Sequence, residues 1–211
     1  GSGTGQVATL TGETPQSSYT QEVKDSYKNY NDAAVIFISR AGGEGADLKT
    51  NYTRAGNGRT DINDTSDAAD GDHYLEFDDN EEALIEAAKE NFEKVVIVLN
   101  IGTSFELGNV AADDGVDAIL WLGFPGGSGI NALGKVLNGE VNPSGRTADI
   151  YGADFKAEPT FANFATNYTS SYTNEAGGRT GVNFVEYDEG IYIGYRYYET
   201  RRFVVGGSWD D

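Results

Sequence analysis

The chain has 211 residues, enough for one domain with a sizeable core, and carries 34 acidic against 15 basic residues for a formal net charge of −19. A charge of this size repels phosphate backbones and anionic lipid headgroups, so we predict no nucleic acid or membrane partner, whereas a neutral partner such as a sugar is compatible with it. The chain contains no cysteine, which excludes disulfides and thiol chemistry and leaves the compartment open between secreted and cytoplasmic.

The first third of the chain predicts a helix, a strand and a long irregular stretch. A first helix with an aromatic stripe that packs on a sheet is predicted by residues at helical spacing, namely Tyr19, Val23, Tyr27 and Tyr30. The apolar run at residues 33–38 predicts a buried strand. Residues 48–72 are too rich in glycine, asparagine and aspartate for regular structure, and an irregular stretch of that length is more often functional than idle.

The middle of the chain alternates between helical and strand patterns. Asp79 and Glu82 have the spacing of a capping box and predict the start of a second helix. Its predicted buried face consists of Leu84, Ala87, Ala88 and Phe92. Consecutive apolar residues at 95–99 and 117–122 are typical of buried strands, and a short helix is predicted over 105–111. Strands that alternate with helices predict an α/β fold with a mostly parallel sheet flanked by helices.

The last third begins with a helix and then loses its regular pattern. Ser128 is predicted to cap this helix and Gly139 to end it in the left-handed conformation. Its predicted apolar face consists of Ile130, Leu133 and Leu137. Residues 152–185 are predicted mostly as loop, followed by the aromatic segment 187–198. Aromatic rings suit the apolar faces of sugars, but we favour packing in the core or between domains for most of these tyrosines.

The strongest candidate for chemistry is the loop after the first predicted strand. Residues 39–45 read serine-arginine-alanine-glycine-glycine-glutamate-glycine, so Glu44 follows the carboxyl end of a strand, where open α/β sheets bind ligands. The glycines allow the backbone to approach a ligand closely. Arg40 and Asp47 lie near enough in sequence to bias the protonation of Glu44. A solvated glutamate in a glycine-rich turn is the alternative interpretation.

The order of the later motifs resembles a known family. Residues 94–102, 118–127, 139–146 and 187–198 follow the Glu44 loop in the order found in the carboxy-terminal α/β sandwich domain of glycoside hydrolase family 3, which contains many β-glucosidases and β-xylosidases. The specific combination is asparagine-proline-serine-glycine-arginine at 142–146 with glutamate-glycine-isoleucine-tyrosine at 189–192. The resemblance covers roughly residues 33–200 and implies a flavodoxin-like α/β sandwich.

The resemblance implies a retaining, exo-acting β-glycosidase of the kind used in polysaccharide degradation. In the family an aspartate on a (β/α)₈ barrel domain is the nucleophile, and the glutamate that matches Glu44 is the general acid/base. Arg40, Asp47 and His73 are predicted to bind substrate, and neither a cofactor nor a metal is predicted. The predicted partners are a β-linked oligosaccharide or glycoside and the barrel domain of the same enzyme, in the same or another chain; this chain alone is predicted to be inactive.

The domain prediction treats this chain as part of a larger enzyme. Residues 1–200 are predicted as a partial sandwich domain and residues 201–211 as the start of a following segment, with no barrel in the chain. Residues 1–5 resemble the glycine-serine-rich loop after the first strand of the sandwich domain, which predicts that this strand is missing; a cloning scar is the alternative. Two other functions stay open: a noncatalytic carbohydrate-binding or scaffold module, and an enzyme with a self-contained flavodoxin-like site.

Overall fold

The structure is a computed structural model that describes residues 14–40, 42, 48, 73–161, 171–173, 179–183, 187 and 189–205. Glu44, Asp47, most of the 48–72 stretch, residues 1–5 and residues 206–211 lie outside the described residues. The chain forms two compact units, Gly1–Thr147 and Ala148–Asp211, which are considered separately below. Among the described helices, none is both long and apolar enough to cross a lipid bilayer.

A parallel sheet forms the centre of the first unit. Its strands are β1 (Ala34–Ser39), β2 (Val95–Asn100) and β3 (Ala118–Trp121), in the order β1-β2-β3. Ala34 pairs with Val95 and Ser39 with Asn100, so β1 and β2 end at the same edge of the sheet. The α/β fold with a parallel sheet is confirmed. The first strand begins and ends one residue later than the run at 33–38 predicts.

The core lies on one face of β1 and around β2. In β1, Ile36 and Ile38 are buried, whereas Val35 and Phe37 on the opposite face are 39% and 48% exposed. The central strand β2 has neighbours on both sides and is buried along nearly its whole length. The prediction of a buried strand at 117–122 is wrong in its burial, because β3 is an edge strand among the described residues and Trp121 is 46% exposed.

The first helix is shorter than its aromatic spacing predicts. Helix α1 covers Gln21–Ser26, is capped by the Thr20 hydroxyl and continues as one 3₁₀ turn. Tyr27 packs against Phe92 with ring centroids 5.1 Å apart, while Tyr30 is 76% exposed. Tyr27 thus contacts the residue that follows the second helix, and packing of the whole aromatic stripe on a sheet stays a prediction.

Helix α2 (Asp79–Asn91) packs against β1 and β2. Its capping box uses Asp78 and Glu81, one residue earlier than the predicted Asp79 and Glu82. The buried face shifts with it: Glu81, Ile85 and Ala88 are buried, whereas the predicted Leu84, Ala87 and Phe92 are half-buried. Since α2 packs against β1, and the Val35 face of β1 is exposed, α2 covers the face that carries Ile36 and Ile38.

The segments on either side of β3 correct two further predictions. The helix predicted over 105–111 is only a 3₁₀ turn at Val110–Ala112, because Gly108 has a φ of +52° that an α-helix cannot accommodate. Ser128 caps nothing, because α3 (Gly126–Gly129) begins directly after Pro125 and is followed by α4 (Asn131–Leu137). Leu133 is the buried member of the predicted apolar face, since Ile130 and Leu137 are 41% and 40% exposed. Gly139 ends α4 with a φ of +78°, as predicted.

The second unit contains a short hairpin and a helix. Strands β4 (Ser171–Thr173) and β5 (Arg179–Asn183) pair antiparallel, and α5 covers Tyr195–Val205. The Tyr198 hydroxyl donates to the Glu158 carboxylate, and both lie so close to Gly152 that a side chain there would collide with them. Burial and this carboxylate raise the pKa of Tyr198. Of the predicted aromatic segment, Tyr187, Tyr192 and Tyr195 are exposed, whereas Tyr197 and Tyr198 are half-buried and pack edge to face.

An ion pair fixes the far end of α2 and yields a prediction on pH. Lys89 donates to Asp113 at 2.5 Å and to Glu86 at 2.8 Å. The hydrogen bond that Lys89 donates to Asp113 lowers the pKa of Asp113, and the same bond, together with the bond to Glu86, raises the pKa of Lys89. We expect Lys89→Met to raise the pKa of Asp113 toward its usual value of about 3.9, measured by ¹³C NMR titration of the carboxyl carbon.

The sign of the accompanying stability change follows from these two shifts. The lowered pKa of Asp113 stabilises the fold above the pKa of the unfolded chain, and this contribution is lost as the pH falls through the folded pKa. The raised pKa of Lys89 stabilises the fold below its unfolded pKa and the contribution is lost as the pH rises through the folded value. Wild type and variant should therefore differ most near neutral pH. Lys94→Met is the matched control, since Lys94 has no ion-pair partner among the described residues. If Lys94→Met shifts the pKa of Asp113 as much as Lys89→Met does, the prediction is contradicted.

Candidate functional site

Buried charged side chains meet where β1 and β2 end. The chain leaves β1 at Arg40, returns at His73, and then runs directly into the start of α2. We call Arg40, His73, Glu76, Glu81 and Glu106 the neck cluster, because Arg40 and His73 flank residues 41–72 and the three glutamates hydrogen-bond to them. All of them except the half-buried Glu76 are buried, which is rare for charged groups without close partners.

Arg40 and Glu81 form a bidentate ion pair inside the protein. The two terminal nitrogens of Arg40 donate to the two carboxylate oxygens of Glu81, each at 2.6 Å. Glu81 also accepts from the Asp78 backbone N–H at 3.1 Å and thereby completes the capping box of α2. One carboxylate thus neutralises the buried guanidinium and satisfies the first turn of the helix.

The remaining N–H groups of Arg40 bind backbone carbonyls. The Nε–H donates to Tyr74 O at 2.9 Å, and the terminal nitrogens donate to Glu76 O at 2.8 Å and to Ser39 O at 3.0 Å. With the two bonds to Glu81, all five N–H donors of the guanidinium are engaged. The guanidinium also lies 5.2 Å from the ring centroid of the fully buried Phe105. Arg40 is therefore fixed in one geometry.

His73 joins the same returning segment to the loop after β2. Its Nε2 lies 3.1 Å from Glu106 Oε2, and its Nδ1 accepts from the Leu75 backbone N–H at 3.2 Å. The Glu106 N–H in turn donates to Leu75 O at 2.6 Å, and the His73 N–H donates to Glu76 Oε1 at 2.6 Å. The returning segment is thus held by Arg40 on one side and by Glu106 on the other.

The donor set of His73, Glu76 and Glu106 has the composition of a metal site but not its hydrogen bonding. One ligand atom from each residue lies within 4.8 Å of the others. Because Nδ1 accepts from Leu75, it carries no proton, so the neutral imidazole carries its proton on Nε2, where it faces Glu106. A histidine that ligates a metal instead donates its other N–H to an acceptor. The geometry therefore fits a hydrogen-bonded cluster better than a metal centre.

The end of β2 contacts the end of β1, and the loop after β2 contacts the loop after β3. Asn100 Nδ2 donates to Ser39 Oγ at 3.3 Å, which links the last residues of β2 and β1. Asn100 Oδ1 is buried and has no hydrogen-bond partner among the residues that the structure describes. A side chain at Gly102 would lie 2.3 Å from the ring of Phe124, so the loop after β2 requires glycine there to accommodate the loop after β3.

The structure brings together two of the four predicted site residues. Arg40 binds the returning segment 73–76, His73 lies in that segment, and each has protein partners. Whether either side chain contacts substrate stays a prediction. Glu44 and Asp47 lie outside the described residues. Glu81 and Glu106 were missed, because their partners are 41 and 33 residues away in sequence; the signal for Glu81 was its place in a capping box.

A parallel sheet with a charged cluster at its carboxyl edge defines an α/β domain of the kind that places functional loops beyond its strands. Residues 2–195 match the family model of the glycosyl hydrolase family 3 C-terminal domain, so the chain belongs to that family. The family resemblance predicted from the motifs is confirmed.

Relatives of this chain are larger proteins that are named beta-glucosidases. The chain is 32% identical to Beta-glucosidase A of Butyrivibrio fibrisolvens over 179 residues, which are 81% of this chain and 19% of that protein. It is 28% identical to a Beta-glucosidase of Ruminococcus albus over 80% of this chain and 14% of that protein. The structure of beta-glucosidase 3B from Thermotoga neapolitana in complex with alpha-D-glucose is similar with a TM-score of 0.61 and 29% identity, over 89% of this chain and 22% of that one. The chain thus spans about a fifth of the length of these relatives, or less.

Proposed function

We propose that this chain supplies the general acid/base, Glu44, to the active site of a retaining β-glucosidase. In such enzymes two carboxyl groups stand roughly 5 to 5.5 Å apart. One attacks the anomeric carbon, while the other protonates the departing oxygen and later takes a proton from the attacking water. In this proposal the nucleophile is an aspartate of a (β/α)₈ barrel domain, and the substrate is a β-linked glucoside or oligosaccharide.

The observation that carries the proposal is the anchored start of the Glu44 loop. Arg40, the last residue before the loop, is buried at the carboxyl edge of the sheet with every guanidinium N–H engaged. Glu44 follows four residues later, and four residues of chain span at most about 14 Å. The glutamate is therefore tethered to the edge where α/β domains bind ligands. The names of the relatives support a β-glucoside as the substrate.

In this proposal Asp47 contacts the substrate. Arg40 and His73 are candidates for the same role from the sequence, but their buried bonds to Glu81 and Glu106 favour a role in holding the loop. The net charge of −19 suits a neutral sugar and disfavours an anionic one.

Exchange into a relative tests the proposal. We expect a chimera, in which this chain replaces the matching segment of the Butyrivibrio fibrisolvens Beta-glucosidase A, to hydrolyse 4-nitrophenyl β-glucoside. This chain alone and the remainder of that enzyme alone should both remain at background, because each lacks one of the two carboxyl groups. NMR of the first-formed sugar should show the β-anomer, the product of a double displacement.

Two outcomes would contradict the proposal. Turnover by this chain alone would favour an enzyme with a self-contained site. A folded chimera that binds glucose, detected by calorimetry, but hydrolyses nothing would favour the noncatalytic carbohydrate-binding module.

A further inference from the structure

We propose that Arg40 is a positioning residue, which links the two ends of the 41–72 segment and thereby fixes where the Glu44 loop leaves the sheet. This inference rests on the proposed role of Glu44. In this view Arg40 acts by fixing the geometry of the backbone. Its charge does not act directly on the substrate or on Glu44.

The hydrogen bonds of Arg40 join both ends of the segment. On the outgoing side the guanidinium binds the carbonyl of Ser39, the last residue of β1, at 3.0 Å. On the returning side it binds the carbonyls of Tyr74 and Glu76 at 2.9 and 2.8 Å. A single rigid side chain thus links the two points between which more than thirty residues of chain are inserted.

Glu81 and Phe105 hold the guanidinium in place. Glu81 binds it from the first turn of α2 with two bonds of 2.6 Å, and its side chain is only 7% exposed. The ring of Phe105 lies 5.2 Å away, and this ring is itself packed edge to face on Phe77. Because the positive charge is paired at contact distance with Glu81, its long-range effect on other carboxyl groups is largely cancelled. What Arg40 contributes to its surroundings is therefore a fixed geometry.

The test uses variants of the chimeric enzyme that separate charge from geometry. In the double variant Arg40→Met/Glu81→Met the ion pair is replaced by apolar side chains of similar length, which folded proteins often tolerate. Arg40→Lys keeps the charge but cannot make the fork of bonds to Glu81, Tyr74 and Glu76 at once. Lys89→Met/Asp113→Asn removes an ion pair at the opposite end of α2 and is the control.

We expect the double variant and Arg40→Lys to lose about 10- to 100-fold in kcat on β-glucosides with poor leaving groups, because a misplacement of about 1 Å can cost that much. The kcat/KM on good leaving groups, which reports only the first step, should change little. Inhibition by glucose and the pH optimum should also change little, and the control should keep wild-type kinetics. Loss of glucose affinity would instead make Arg40 a substrate ligand. A shifted pH optimum, with Arg40→Lys behaving as wild type, would make its charge the operative feature. Either result overturns the proposal.

Hydrogen exchange in the 211-residue chain gives a readout that needs no activity. The Glu106 N–H, which binds Leu75 O at 2.6 Å, should exchange at least about tenfold faster in the double variant, whereas the amides of β2 should keep their protection. Unchanged exchange at Glu106 overturns the proposal. The Glu44→Gln variant distinguishes failure of the proposed role of Glu44 from failure of the positioning role of Arg40. If Glu44→Gln shows the leaving-group dependence of a lost acid and the Arg40 variants do not, only the positioning role fails.

Discussion

Replacing Glu44 by Gln in the chimeric enzyme is expected to slow the hydrolysis of β-glucosides with poor leaving groups by about 10²- to 10⁴-fold, the usual contribution of a general acid. The amide keeps the shape of the side chain but cannot donate a proton to the departing oxygen. Aryl glucosides with good leaving groups need no proton in the first step, so their first step should slow much less. The kcat/KM values across a series of aryl glucosides of increasing leaving-group pKa report the first step and measure the difference.

The second half of the reaction gives an independent readout of the same variant. The base that activates water is also missing, so the glycosyl-enzyme should accumulate with good leaving groups and appear as a burst followed by slow turnover. Azide attacks without needing a base and should restore turnover. If Glu44→Gln slows good and poor leaving groups equally and azide has no effect, Glu44 is structural and another carboxylate of the 48–72 stretch must be the acid.

The second large effect is expected on stability, from removal of one partner of the buried ion pair. Glu81→Leu leaves the guanidinium of Arg40 buried without its carboxylate and opens the capping box at Asp78. Breaking a buried pair in this way typically costs about 3 to 5 kcal/mol. We therefore expect the free energy of unfolding of the 211-residue chain, measured by urea denaturation at pH 7, to fall by about that amount.

Two further variants identify the cause of the loss. Glu82→Leu removes the same charge from the same helical turn at an exposed position and should cost less than about 0.5 kcal/mol. Arg40→Met/Glu81→Met removes both charges and should recover at least half of the loss, because no uncompensated charge remains. A double variant as unstable as Glu81→Leu would show that the neck depends on the hydrogen bonds of Arg40 to the backbone more than on the pairing of charge.

The predictable part of the fold was the part encoded by local pattern. Consecutive apolar residues identified β1 and β2 to within one residue at each end, because the strands of a parallel sheet typically read as continuous apolar runs. The start of α2 was predicted one residue late for a specific reason: residues 78–82 contain two overlapping capping boxes, Asp78 with Glu81 and Asp79 with Glu82. The contact of Glu81 with Arg40, 41 residues earlier, favours the first box, and no local pattern contains that contact.

The candidate site likewise contains residues that the sequence pattern located and residues that it did not. Motif order located Arg40 and the loop that follows it, and the single histidine was noticed because it is the only one in the chain. Their partners Glu81 and Glu106 look like ordinary helix and loop glutamates in the sequence. Their burial depends on the way the returning segment is folded between α2 and the loop after β2, which is a property of tertiary structure.

The neck cluster affects how the length of the inserted segment can vary in this domain. Because the outgoing and returning ends are joined by bonds among Arg40, Tyr74, Glu76 and Glu81, the fold of the sheet depends little on the length of what is inserted between them. Once the two ends are fixed, doubling the length of an inserted segment adds only about 0.6 kcal/mol of closure entropy. Evolution, or a combinatorial library, can therefore exchange residues 45–72 for segments of other lengths at little thermodynamic cost. If Glu44 acts as proposed, such exchanges are a route to new leaving-group preferences without redesign of the scaffold.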